Sequence, residues 1–164
     1  MTIMRALGAL FAAIVLASCA SAPSPQHGPA QITLQRTACF GFCPDYTVTI
    51  DEAGEVRYEG RRFVSAVGVR DAVIPREDVQ RLLARFDEIG FERLRDESRA
   101  QITDLPSTIV TLTRNGRTKR VVDYGGTSVG MPESVRGLQA EIDRVAGTAR
   151  WVLRDGHPVG APAP

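Results

Sequence analysis

The chain's only thiols and imidazoles are three cysteines and two histidines, so chemistry has few places to start. Cys39 and Cys43 have three residues between them in Cys39-Phe40-Gly41-Phe42-Cys43-Pro44. In an oxidising compartment two cysteines this close pair, closing a tight loop worth about 2 kcal/mol on chain-entropy grounds. Redox exchange is the competing use. Thioredoxin-like pairs, however, hold two intervening residues and open a helix whose dipole lowers a thiol pKa. A metal site would need further ligands, and no second cysteine pair or nearby histidine supplies them. The spacing favours a structural disulfide and implies neither a metal nor a cofactor.

His27 and His157 both fall in Pro-rich ends. Schemes built on a histidine base are therefore poorly supported, and acid or base work would pass to carboxylates or tyrosine. Asp104, in Thr103-Asp104-Leu105-Pro106, and Asp123 with Tyr124, in Val122-Asp123-Tyr124-Gly125, are the candidates, because each lies where a strand meets a loop. They would serve an envelope hydrolase or transferase. Structural use is favoured: Asp before Leu-Pro is turn chemistry, and Asp123 suits a loop amide or an arginine. Residues 125–130, Gly-Gly-Thr-Ser-Val-Gly, join a strand to a helix but lack the Gly-Lys-Ser/Thr ending of a phosphate loop, so a flexible connection is expected. Arg57, Arg61 and Arg62 could bind an anion, yet Glu55 and Glu59 share their strand, and a self-neutralised surface is the better expectation.

The third cysteine belongs to the amino terminus. Arg5 precedes an apolar run over residues 6–17 that ends in Leu16-Ala17-Ser18-Cys19. A charged n-region followed by a short h-region reads as a secretory leader. Such a run is too short for a hydrocarbon core that takes roughly 20 helical residues to cross. Leu-Ala-Ser-Cys resembles the lipobox of bacterial lipoproteins, which makes Cys19 the expected lipid attachment point. The alternative is cleavage after Ala20-Ser21-Ala22 and release of a soluble protein. Ala20 after the cysteine favours outer-membrane over inner-membrane retention. The expected habitat is the periplasmic face of the envelope, with the membrane as one partner through the lipid and an unidentified envelope protein or small ligand as another. Lys and Arg total 20 against 19 Asp and Glu, so the strong positive field needed for nucleic-acid binding is missing.

The elements that must position these residues lie between two Pro-rich ends. Residues 1–18 are the leader and 19–30 a tether, whose stretch from 20 to 30 would reach up to about 30 Å as polyproline II. Residues 31–153 form one folded domain, and 154–164 a disordered tail. Alternation marks strands over 31–37, 46–50, 55–59 and 67–74, with turn chemistry at Asp51-Glu52-Ala53-Gly54. The period then changes: Val79, Leu82, Leu83, Phe86 and Ile89 recur at helical spacing between Pro75 and Gly90. Strands at 108–113 and 118–124 flank Asn115-Gly116, and a second helix buries Val135, Leu138, Ile142 and Val145 before Gly147. Residues 46–59 align with 108–121 at an offset of 62 without a gap, which leaves duplication and shared hairpin grammar both open. The expected fold class is α+β: an antiparallel sheet of hairpins with two amphipathic helices on one face, in a possible ββα repeat. Trp151 and Phe91 should seal the edge of its core.

Residues 39–50 (C-F-G-F-C-P-D-Y-T-V-T-I), Tyr58-Glu59-Gly60, Thr103-Asp104-Leu105-Pro106 and Val121-Val122-Asp123-Tyr124-Gly125 together resemble the bacterial domain of unknown function 6438 family. The resemblance spans about 31–152, and its C-F-G-x-C-P-x-Y element is fairly specific. It implies an exported or lipid-anchored envelope protein and transfers no activity, cofactor or catalytic residue. The functional expectation is a lipid-anchored, non-enzymatic binding or structural module. The hydrolase through Asp104, Asp123 and Tyr124, and a thiol redox protein through Cys39 and Cys43, are the alternatives.

Overall fold

In the computed structural model, residues 28–160 are described. The leader, Cys19, most of the tether with His27, and residues 161–164 lie outside them. Four strands come first: β1 (Gln31–Arg36), β2 (Asp45–Asp51), β3 (Glu55–Arg62) and β4 (Gly68–Val73). Helix α1 (Arg76–Glu88) and a single 3-10 turn (Phe91–Arg93) follow, then β5 (Glu97–Arg99), β6 (Thr108–Arg114) and β7 (Arg117–Tyr124). The chain closes with a second 3-10 turn (Gly126–Val129), helix α2 (Glu133–Ala146), the one-turn α3 (Ala149–Val152), and a small hairpin of β8 (Leu153–Arg154) and β9 (His157–Pro158).

Seven strands form one sheet in the order β4-β3-β2-β1-β6-β7-β5, so β1 is central and pairs on both sides. Every pairing is antiparallel except β5 with β7, which is parallel. The period-2 pattern explains which face closes. Ile32 and Leu34, Tyr46, Val48 and Ile50, Val56 and Tyr58, Val110 and Leu112 all turn to one side, where they join a single core with Leu82 and Phe86 of α1 and Leu138 and Ile142 of α2. Both helices start at a proline, Pro75 or Pro132, with acidic residues in the first turn, and give way to Gly90 and Gly147. Proline suits a helix start because its missing N–H would be unpaired there in any case. The opposite face of the sheet carries no helix and is polar at its centre, with Thr33 between Thr49 and Thr111.

The offset of 62 has a geometric counterpart. Residues related by it pair with the same β1 residue from opposite sides: Ile50 and Leu112 with Ile32, and Val48 and Val110 with Leu34. That symmetry about β1 holds for either origin of the repeat.

Several expectations are corrected. Strand β5 has three residues with polar or charged side chains and no apolar alternation, and it forms because β7 offers it an open edge. The connection at 125–130 is an ordered 3-10 turn, held from below by Asp123. The tail does not begin at 154: Asp155 and Gly156, both at positive φ, turn the chain into the β8–β9 hairpin, which places His157 on a strand. Trp151 does meet the core, stacking on Tyr58 at 4.9 Å between ring centroids, and Phe91 meets Phe86 edge-on at 4.8 Å. Glu55 and Glu59 are not the acids that neutralise the β3 arginines. Arg57 pairs with Asp71 (3.8 Å) and Arg61 with Asp45 (2.7 Å), because cross-strand neighbours lie closer than residues two apart on one strand. No helix among the described residues is long and apolar enough to cross a membrane.

Leu138 is fully buried where α2 meets the sheet. Leu138→Ala removes apolar contacts that no neighbour can replace, and should lower unfolding free energy by about 2–5 kcal/mol in a denaturant titration at unchanged m-value.

Candidate binding site

At the end of the sheet where β1 finishes, three loops meet: 37–44, 100–107 and 125–131. Hydrogen bonds tie the first two to each other. Thr37 N–H donates to Ser107 O (3.0 Å), Ser107 N–H to Thr37 Oγ1 (2.8 Å), and Phe40 N–H to the carbonyl of Asp104 (3.2 Å). Cys39 and Cys43 are disulfide-bonded with Cα atoms 5.6 Å apart, which closes the first loop on itself. The tip that results is apolar and wet. Phe40 is 90% exposed and Phe42 50%, and Ile102 stands exposed on the adjoining loop. Phe42 rests edge-on against Phe63 (5.5 Å), and an atom added at the Gly160 Cβ position would press on the same ring.

Tyr124 and Asp123 hold the neighbouring loops from opposite faces of β7. The Tyr124 hydroxyl donates to Ile102 O (2.7 Å) and accepts from Leu105 N–H (3.3 Å), while Arg99 lies over its ring at 4.7 Å. Asp123 is buried toward α2. Its Oδ1 accepts from Gly126 N–H (2.8 Å) and its Oδ2 from Gln139 Nε2 (3.1 Å). Successive strand residues point to opposite faces, so these two side chains cannot converge on one substrate. Asp104 is exposed at φ +73, and its carboxylate accepts from its neighbour Thr103 while its carbonyl steadies Phe40. The three sequence candidates are thus positioning residues of the loops. Gly125, at φ +122, has to be glycine, since a Cβ there would fall 2.8 Å from Ala100 Cβ and push β5 off β7.

Between the 100–107 and 125–131 loops runs an open groove of about 410 Å3, lined among others by Arg36, Arg136, Ser128 and Gln139. Arg36 was not legible as a site residue. It is the last residue of β1 and reaches three other elements: its Nε and Nη2 donate to Asp143 Oδ2 (2.9 and 2.7 Å), Nε also to the Tyr46 hydroxyl (3.0 Å), and Nη1 to Thr108 Oγ1 (3.1 Å). Tyr46 donates in turn to Asp143 Oδ1 (2.7 Å), which also accepts from Thr148 Oγ1 (2.8 Å). Burial opposes the Arg36 charge, but Asp143 and Tyr46 outweigh it and raise its pKa. Tyr46 is pushed above the usual phenol value, first by burial and then by the Asp143 charge, with Arg36 opposing. Arg136 is the less committed guanidinium of the groove, 4.0 Å from Glu133 and half exposed.

The chain matches the family described as Domain of unknown function (DUF6438) over residues 30–146. It belongs to that family. The match takes in the whole seven-stranded sheet with α1 and α2, and stops before α3 and the β8–β9 hairpin. Among curated proteins no relative matches the chain. Of the motif residues, Cys39–Tyr46, Thr103–Pro106 and Asp123–Gly125 lie at the loop end, the rest of 39–50 and 121–125 runs back along β2 and β7, and Tyr58-Glu59-Gly60 lies on β3. Gly60 leaves room there: a Cβ would fall 2.2 Å from Ala66 O and 2.5 Å from the Tyr58 hydroxyl.

Two outcomes are expected. Replacing Cys39 and Cys43 together by Ser should cost about 2 kcal/mol and lower Tm by about 6–10 °C in calorimetry, with the far-UV spectrum unchanged. Tyr46, and Tyr58 whose phenol burial pushes up to about 12, hold their protons more tightly folded than unfolded. The Tyr58 stabilisation is complete below the ordinary phenol pKa of 10.0 and is lost as pH rises from there through about 12, and that of Tyr46 is lost in the same direction. Tyr58→Phe should flatten the fall in stability measured by denaturant titration above pH 10, at whatever starting stability the variant has.

Proposed function

We propose that this chain is a lipid-anchored domain of the bacterial envelope that binds a partner through the loop end of its sheet. Anchoring rests on Arg5, the apolar run after it and Leu16-Ala17-Ser18-Cys19. A bonded Cys39–Cys43 pair fits an oxidising compartment. Ala20 following the cysteine fits retention at the outer membrane, facing the periplasm.

The observation that carries binding is Phe40, almost fully exposed at the tip of a loop that a disulfide holds closed. Leaving a phenylalanine in water forgoes about 1.5–3 kcal/mol that burial would return. Aromatic side chains supply much of the energy of protein interfaces, and a loop ordered in advance loses little freedom on docking. The chain enters the sheet at Gln31, one strand length, about 20 Å, from the end where Arg36 and the three loops lie. A tether entering there leaves the aromatic tip directed away from the attachment point, where an envelope partner can reach it.

Cys19→Ser should move the protein from the membrane pellet to the soluble periplasmic fraction and abolish the acylated N-terminal peptide in mass spectrometry. A photo-crosslinking residue in place of Phe40 should give a discrete adduct in intact cells that one in place of Glu77, exposed on α1, does not. Soluble wild-type protein would remove the anchor from this reading. Identical adduct patterns at the two positions would remove the binding tip.

A further inference from the structure

Val69 and Val73 stand exposed along the sheet's outermost strand β4, Val73 at 78%, and Val67, at 62%, lies on the turn that leads into it. Large apolar side chains on a free edge are a liability that β proteins ordinarily remove with proline, a bulge or a short strand. Strand β4 has six residues, none of them proline, paired with β3 in unbroken register from Glu55–Val73 to Gly60–Gly68. Its outward backbone groups can be assigned. Ile74 N–H donates to Gly54 O (2.9 Å), and bonded and non-bonded pairs alternate along an antiparallel ladder. Ala72, Arg70 and Gly68 therefore turn their N–H and C=O groups to β3, while Val73, Asp71 and Val69 turn theirs outward. The Val69 carbonyl behaves as a free one, accepting from the side chain of its own neighbour Arg70 (2.6 Å). Beside this edge, on the helix-free face, lies a groove of about 580 Å3 whose lining includes Thr49, Glu55, Arg57, Asp71 and Val73.

We propose that β4 accepts an extended segment of a partner protein as an eighth, antiparallel strand. That segment places a Lys or Arg opposite Asp71 and β-branched residues opposite Val69 and Val73. Backbone bonds supply the affinity of strand addition and alternate side chains its specificity. Charge decides the occupant. Two copies of this chain sharing sheet faces must pair residues of the same parity, and the two longest registers put Arg70 opposite Arg70 or Asp71 opposite Asp71. Like charges directly opposite are destabilising. The chain's own tether, with Pro23, Pro25 and Pro29, lacks the donors of a ladder. The carboxyl-terminal residues after Gly160 include Pro162 and Pro164, which likewise lack ladder donors. A basic residue of a partner finds Asp71 available, because its ion pair with Arg57 is 3.8 Å long and mostly in solvent.

The test uses the full chain and the synthetic peptide Ac-Thr-Val-Thr-Lys-Thr-Val-Thr-NH2, with a second peptide carrying Glu at its centre. Hydrogen exchange followed by NMR should show the Lys peptide protecting the amides of Val69, Asp71 and Val73, with the Glu peptide binding about 10-fold more weakly. Asp71→Lys should reverse that preference. Val69→Pro removes one outward N–H while sparing the β3 ladder, and should abolish protection with the melting transition retained. No protection by the Lys peptide, equal binding of the two peptides, or concentration-dependent protection of the same amides without peptide would each overturn the proposal, the last in favour of a second copy. Crosslinking at Phe40 reads the loop end, so the two surfaces fail or succeed separately.

Discussion

The Arg36 guanidinium joins four parts of the structure that are distant in sequence, and the geometry of the loop end depends on it. It leaves β1 at the point where the strand stops and binds Asp143 of α2, the Tyr46 hydroxyl of β2 and Thr108 of β6. Asp143 extends the network to Thr148, the residue from which α3 begins. Desolvating a carboxylate and a guanidinium is costly unless every remaining lone pair and proton finds a partner. Here both oxygens of Asp143 are shared among Arg36, Tyr46 and Thr148, so the ends of three strands and one helix are constrained together. Net stabilisation from such a pair is small, but removing one member leaves the other charge unmatched in a poorly solvated place.

That constraint has a functional consequence. Once β1, β2, β6 and α2 are fixed at one end, the loops that leave them have little freedom: 37–44 follows β1, 100–107 leads into β6, and 125–131 connects β7 to α2. Tyr124 and Asp123 complete the arrangement from the two faces of β7, one holding 100–107 and the other the turn after Gly125. Phe40 and Phe42 thus project from a scaffold that is stiff for reasons other than its disulfide. The opposite face carries no helix: Ile109, Val122 and Tyr124 are buried on it, while toward β4 it is open to solvent and ends in a strand edge. The molecule therefore offers two surfaces of different chemistry, an aromatic tip and the open edge of β4.

Much of this architecture was legible from local pattern. Tyr46, Val48 and Ile50 alternate with threonines, so one face of β2 had to be buried. Val79, Leu82, Leu83 and Phe86 recur at helical spacing, so α1 had to lie on that face. Asn115-Gly116 and Gly54 carry the turn chemistry of hairpins. Family membership was legible too, from the cysteine motif and the three short stretches that accompany it. Strand β5 was not, because Glu97-Ser98-Arg99 has no apolar alternation and becomes a strand only where β7 leaves an edge. The β8–β9 hairpin was hidden by the prolines around it. Arg36 was hidden because an arginine at a strand end looks like any solvated charge.

The sequence by itself determined the periods, the stops and the cysteine spacing, because backbone geometry converts these directly into strands, helices, turns and a closed loop. Only the tertiary structure decided which stretches meet: that β1 is central, that three loops gather at its end around Arg36, and that β4 keeps its edge. Those outcomes depend on pairing between segments far apart in the chain, and pairing is chosen by the burial of a whole sheet face at once rather than by any residue alone.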